Sequence, residues 1–165
     1  TAYEMCVGDW SSDVCSSVIA KNLGKYKQEL QTRECLVQAI YQYIFHESNL
    51  NDLIDQFLTE NTPKKISFSY FKERLENIFE QSDNLKSITR NLKNNESENL
   101  EMIDEAILWL GMVEIRANEL AHPIVIDECI RLAKKFSNPN SYKFINAKLD
   151  EWLKTNQAEG LKKNS

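Results

Sequence analysis

A chain with only four glycines and three prolines among 165 residues has few places to turn sharply. That scarcity favours a small number of long helices over many short strands. Apolar residues then recur at helical spacing. Cys35, Leu36, Ala39, Ile40, Tyr43 and Ile44 share one face of a helix predicted to start at a Thr32 cap and to end near His46. Leu50, Leu53, Ile54, Phe57 and Leu58 predict a second helix, broken at Asn61-Thr62-Pro63. Phe68, Phe71, Leu75, Ile78 and Phe79 follow a candidate Ser67 cap, and Leu85, Ile88 and Leu92 continue that face in one bent helix or two. Ile103, Ala106, Ile107, Leu110, Gly111 and Val113 mark a helix apolar on most sides, which belongs in the middle of a bundle. Gly111 lowers helix propensity there, so it predicts the close approach of a neighbour. Pro123 fits the first turn of the next helix, whose buried face is Ile126, Cys129, Ile130, Ala133 and Phe136. After a turn at Ser137-Asn138-Pro139-Asn140, a last helix carries Phe144, Ile145, Leu149, Trp152 and Leu153. No strand pattern competes, and the chain reads as all-α.

With 42% hydrophobic and 27% charged residues, the chain can bury a core without metals or disulfides. No apolar run approaches the ~20 residues of a membrane helix, and the N-terminus lacks the basic start and apolar stretch of a secretory signal. A cytoplasmic location and no membrane partner are expected. Cys6, Cys15, Cys35 and Cys129 form no C-x-x-C pair, so the spacing does not point to zinc. Cys35 and Cys129 lie in helical patterns, where free cysteine behaves as a small hydrophobe. His46 and His122 are far apart, and there is no nucleophile elbow or glycine-rich phosphate loop. No catalytic residue, metal, cofactor or small-molecule substrate is expected.

The stretch Asp9-Trp10-Ser11-Ser12-Asp13-Val14-Cys15-Ser16-Ser17 has no helical or strand period. It resembles the translation of a sequencing-library adapter, with Val18 where read-through would place Asp. Residues 1–20 are therefore expected to be a non-native or disordered segment, 21–154 the helical domain and 155–165 a polar tail. A Cys6–Cys15 disulfide is the alternative reading of the first segment, and a reducing cytosol disfavours it.

Charge is distributed unevenly. The net charge is −5, yet nine acids and one base, Arg116, fall between Asn95 and Glu128, whereas five bases and no acid fall from Arg131 to Lys148. Those bases are Arg131, Lys134, Lys135, Lys143 and Lys148, interleaved with Tyr142, Phe144, Asn138, Asn140 and Asn146. Such a mixture suits single-stranded RNA: cations meet phosphates, rings stack on bases and amides read base edges. A weaker basic stretch holds Lys21, Lys25, Lys27 and Arg33. The bland alternative makes the lysines a solvated face and Phe144 a core residue.

Four blocks carry a resemblance. Thr32 to Tyr41, TRECLVQAIY, looks like the R-x-x-A-V-Q-A-L-Y opening helix of NusB-type antitermination factors. Ile107 to Ile115, ILWLGMVEI, resembles their I-L-R-I-A-L-Y-E-L segment, and Val125 to Phe136 resembles V-A-I-N-E-A-V-E-L-A-K-K-F. Ser141 to Asp150, SYKFINAKLD, resembles S-x-K-F-V-N-G-V-L-D. The resemblance covers about Thr32 to Leu153 in the family's order. It implies about seven helices in two packed helical subdomains, in a bacterial protein that pairs with the ribosomal protein NusE. The pair is expected to bind boxA RNA of nascent ribosomal transcripts within the RNA polymerase antitermination complex. Carried over residue by residue, the RNA surface comprises Arg33, Ser141, Lys143, Phe144 and Asn146, with Lys25 and Lys27 standing near the family's basic arm. The arm here reads Glu29-Leu30-Gln31-Thr32-Arg33 where the family has an arginine run, and the motif's Gly is Ala147. Two rival readings remain: the NusB-like domain of a ribosomal RNA cytosine methyltransferase, disfavoured because no methyltransferase sequence follows, and a helical adaptor that binds only protein.

Overall fold

The computed structural model describes residues 13–92 and 100–163, with side chains described over 23–92 and 100–159. Among the described residues there are seven helices and no strand: α1 (Asp13–His46), α2 (Leu50–Glu60), α3 (Phe68–Glu80), α4 (Ser82–Asn91), α5 (Met102–Ala117), α6 (His122–Phe136) and α7 (Ser141–Lys163). The first four helices form one half and the last three the other. They meet where α1 lies against α5.

Helix α5 is the hub. Every residue from Ala106 to Ile115 is buried, and the helix packs against α1, α3, α4, α6 and α7. Its all-round apolar sequence requires neighbours on every side. Gly111 allows two of them to come close: a Cβ there would sit 2.7 Å from Cys129 Sγ on α6 and 3.3 Å from a Leu149 methyl on α7. Helix α5 ends where Asn118 adopts a left-handed conformation (φ 55°, ψ 31°), its N–H capping the carbonyls of Glu114 and Ile115. Arg116, at this end, donates to Gln81 Oε1 at 2.6 Å and Asn84 Oδ1 at 2.9 Å, and its guanidinium covers the Trp152 ring. The hub's end is thereby tied to α4 and α7.

One expected helix start needs correction. Helix α1 begins at Asp13, so Thr32 lies inside it and caps nothing. Its buried hydroxyl donates to the Gln28 carbonyl at 2.7 Å and accepts the Ser67 N–H at 2.9 Å, so it holds the start of α3 against α1. Ser67 does cap α3, accepting from the Tyr70 N–H. The face from Phe68 to Leu92 is split into two helices at Gln81, and Asn49 caps α2. At the other end, α7 runs on to Lys163, because nothing between Lys154 and Gly160 breaks a helix. Residues 1–12, which hold most of the segment set apart as non-native, lie outside the described residues, and so does Cys6.

Replacing Gly111 by leucine will overpack the junction of α5, α6 and α7. A denaturant titration is expected to show a loss of about 1–3 kcal/mol. An unchanged midpoint would mean that the three helices do not close on this glycine.

Candidate RNA interface

The sequence-predicted residues fall in three environments. Lys143 and Asn146 are exposed on the first turns of α7, and Ser141 and Phe144 beside them are half-buried. Lys25 and Lys27 are exposed on the N-terminal part of α1. Arg33 is 5% exposed and faces the interior.

The α7 residues are joined by the end of α6. Lys134 places its ammonium 4.7 Å from the centre of the Tyr142 ring, and Lys143 covers the same ring at 5.9 Å. Lys148 lies 5.7 Å from the centre of the Phe144 ring. Lys134 and Lys143 remain exposed, whereas the Lys148 side chain is 7% exposed and reaches Glu151 at 3.4 Å. Beneath this surface, Asp104 accepts from the Ser137 side chain at 2.5 Å, and burial raises its pKa. Ser141 opens α7, its backbone N–H donating to the Asn138 carbonyl at 3.0 Å. Phe144 packs one side against the core, and the rest of its ring remains at the surface.

Arg33 requires a correction. Expected to contact RNA, it instead lies in a chain of charged groups that runs through four helices. The Tyr70 hydroxyl on α3 donates to Glu114 on α5. Arg33 Nε donates to both Glu114 oxygens at 3.2 Å, and its Nη1 lies 3.8 Å from Glu128 on α6. Glu128 accepts from Arg131 at 3.2 Å. Arg131 reaches back to Glu34 on α1 at 2.8 Å, where Lys135 also donates at 2.8 Å. Three cations and three carboxylates alternate, so each charge has a neighbour of opposite sign. Burial works against the Arg33 charge, but Glu114 and the other groups around it outweigh that and hold its pKa above the ordinary value. The family-like spacing TRECLVQAIY marked Arg33 as important without revealing its direction. A usable signal was there: Glu114 stands alone within Met112-Val113-Glu114-Ile115 and needs a buried partner.

Beside this surface lies an open groove of about 690 Å³ between α1 and the start of α5, with Tyr41, Leu100, Met102, Ile103 and Phe136 among its lining. Tyr41 and Phe45 stack at 6.1 Å on the exposed face of α1. No described helix is long and apolar enough to cross a membrane. Burial raises the thiol pKa of both Cys35 and Cys129, as expected for cysteines used in packing.

Comparison with known proteins agrees with this architecture. The model of the NusB family matches residues 30–154. A transcription antitermination protein NusB of Psychromonas ingrahamii is 33% identical over 132 residues, covering 79% of this chain and 91% of that protein. One from Pectobacterium carotovorum is 34% identical over 122 residues, covering 73% and 88%. A solved structure of T. maritima NusB superposes with a TM-score of 0.63 at 24% identity, over 74% of this chain and 87% of that one.

Two outcomes test the charge chain. Arg33→Met leaves Glu114 and Glu128 buried without their shared cation and is expected to cost about 3–5 kcal/mol in denaturant unfolding. An effect below about 1 kcal/mol, the range of an exposed pair, would place Arg33 at the surface. For Glu34, burial acts to raise the pKa, but the bonds from Lys135 and Arg131 outweigh it and the pKa is lowered. Its contribution to stability is therefore present above the ordinary glutamate pKa and is lost as pH falls through the folded value. Glu34→Gln should flatten the acid limb of the stability profile, and an acid limb identical to wild type would refute this linkage.

Proposed function

This chain belongs to the NusB family, and we propose that it acts as a transcription antitermination factor by binding boxA-type RNA together with NusE. The observation that carries the RNA reading is the surface at the α6–α7 corner. There Lys134 and Lys143 flank the Tyr142 ring, and Phe144 and Asn146 stand beside them. Lysines supply charge to phosphates, the rings offer stacking faces and the exposed amide can read a base edge. Ser141, half-buried at the start of α7, stands at the same corner. Lys25 and Lys27 extend the basic surface along α1. Arg33 is left out of the contact set, because its guanidinium is already shared between two carboxylates.

NusE is assigned to the groove lined by Tyr41, Met102 and Phe136. Exposed apolar side chains on a folded surface favour a protein partner, and Phe136 brings the groove next to the lysine corner. Both partners can then be held at once on adjoining faces.

The test is a filter-binding titration with boxA RNA and a scrambled control, with and without NusE, over a range of salt concentrations. Lys143→Ala should weaken RNA binding and reduce the salt slope by about one, with no change in melting temperature. Met102→Glu should abolish the enhancement by NusE and leave binding of RNA alone intact. If wild type does not distinguish boxA from scrambled RNA even with NusE, the function is wrong. If NusE binds and RNA does not, the chain is a protein adaptor.

A further inference from the structure

A second site lies against α1 between Lys25 and Arg33. A cavity of about 210 Å³ opens between α1, α3 and the loop after α5, and Lys25, Arg33, Ser67, Tyr70, Arg74 and Leu120 are in its wall. The Tyr70 ring lies between two guanidinium groups, 5.8 Å from that of Arg33 and 5.2 Å from that of Arg74.

Arg74 is the unusual member. Its side chain is 4% exposed, yet its only ionic partner among the described residues is Glu119, whose carboxylate is 61% exposed and touches Nη2 at 3.0 Å. Its Nε–H is buried and has no hydrogen-bond partner among the described residues. Nε and Nη2 form one edge of the guanidinium fork, the edge that grips a planar pair of oxygens. Glu119 fills half of that edge, and a buried donor is left unmet at a cost in free energy. The carboxylate sits on a loop and is held by a single exposed contact, so it is readily displaced.

We propose that this cavity takes one phosphodiester of bound RNA, and that Glu119 is an internal occupant which the phosphate displaces. The proposal rests on the RNA-binding function. Charge decides what fits: Lys25, Arg33 and Arg74 are balanced by Glu29, Glu114 and Glu119 while Glu119 is in place. Swinging Glu119 out leaves one positive charge in excess, which a single phosphodiester neutralises. Lys25, at the wall, belongs to the basic stretch that extends toward the RNA surface. Phosphate oxygens on Nε and Nη2 would satisfy the orphan donor and secure a strand at a second point.

Two measurements test this. In the first, the arginine Nε–H resonances of the full chain are followed by NMR as dimethyl phosphate is added at constant ionic strength, with acetate in a parallel titration. The Arg74 Nε–H is expected to shift with dimethyl phosphate, and at lower concentration in Glu119→Gln. No shift in either protein overturns the site, and a shift with acetate alone overturns the phosphodiester assignment in favour of a carboxylate ligand. In the second, Glu119→Gln is titrated with boxA RNA. Loss of the competing carboxylate should tighten binding about twofold to fivefold. If Lys143→Ala weakens RNA binding while Glu119→Gln leaves it unaltered, the cavity proposal fails and the function stands. If dimethyl phosphate shifts Arg74 but RNA does not bind, the site takes a phosphodiester from another source, and the RNA assignment is overturned.

Discussion

The guanidinium of Arg33, held between Glu114 and Glu128, is the interaction on which the rest of the structure depends. It joins α1 to α5 and α6 where the two halves meet, and Tyr70 ties α3 to the same carboxylate. A buried ion pair is a weak source of net stability but a strong source of specificity, since any other register strands its charges in the core. Apolar packing around α5 supplies most of the driving force. The charges fix which faces of α1 and α6 oppose each other.

The consequence reaches the surface. Because Arg131 and Lys135 bind Glu34, two of the three bases on α6 are tied to α1, and Lys134 is left exposed beside Tyr142. Helix α7 begins at that point, after a turn in which Ser137 donates to Asp104, and Lys143 and Asn146 face outward on the same corner. Gly111 lets α6 and α7 close on α5 beneath them. The proposed RNA surface is therefore a product of packing. Its lysines are presented by helices whose positions are determined by a buried glycine, a buried cysteine and buried carboxylates.

The all-α class, most helix boundaries and the central place of α5 were legible in the spacing of apolar residues, because that spacing is local. Gly111 was legible for the same reason: a glycine within an apolar helix has few uses besides close contact. Arg33 and Thr32 were misread, since both have residue types at home at the surface or at a cap, and their burial depends on partners up to 95 residues away in sequence. The helical extension past Lys154 was missed because a polar helix and a polar tail share a composition. The Arg74–Glu119 site carried no signal at all, as neither residue belongs to a recognisable motif. The lysine-aromatic corner was legible as composition, but which of its members are free and which are paired required the fold.

Lysine footprinting of the boxA RNA complex tests the central claim most directly. Each lysine is acetylated in the free chain and in the complex, and its modification is measured by mass spectrometry. Lys134 and Lys143 should be protected by RNA, while Lys64 and Lys65, exposed in the turn before α3, should react as in the free chain. Protection at Lys64 and Lys65 with the α6–α7 lysines still fully reactive would contradict the account.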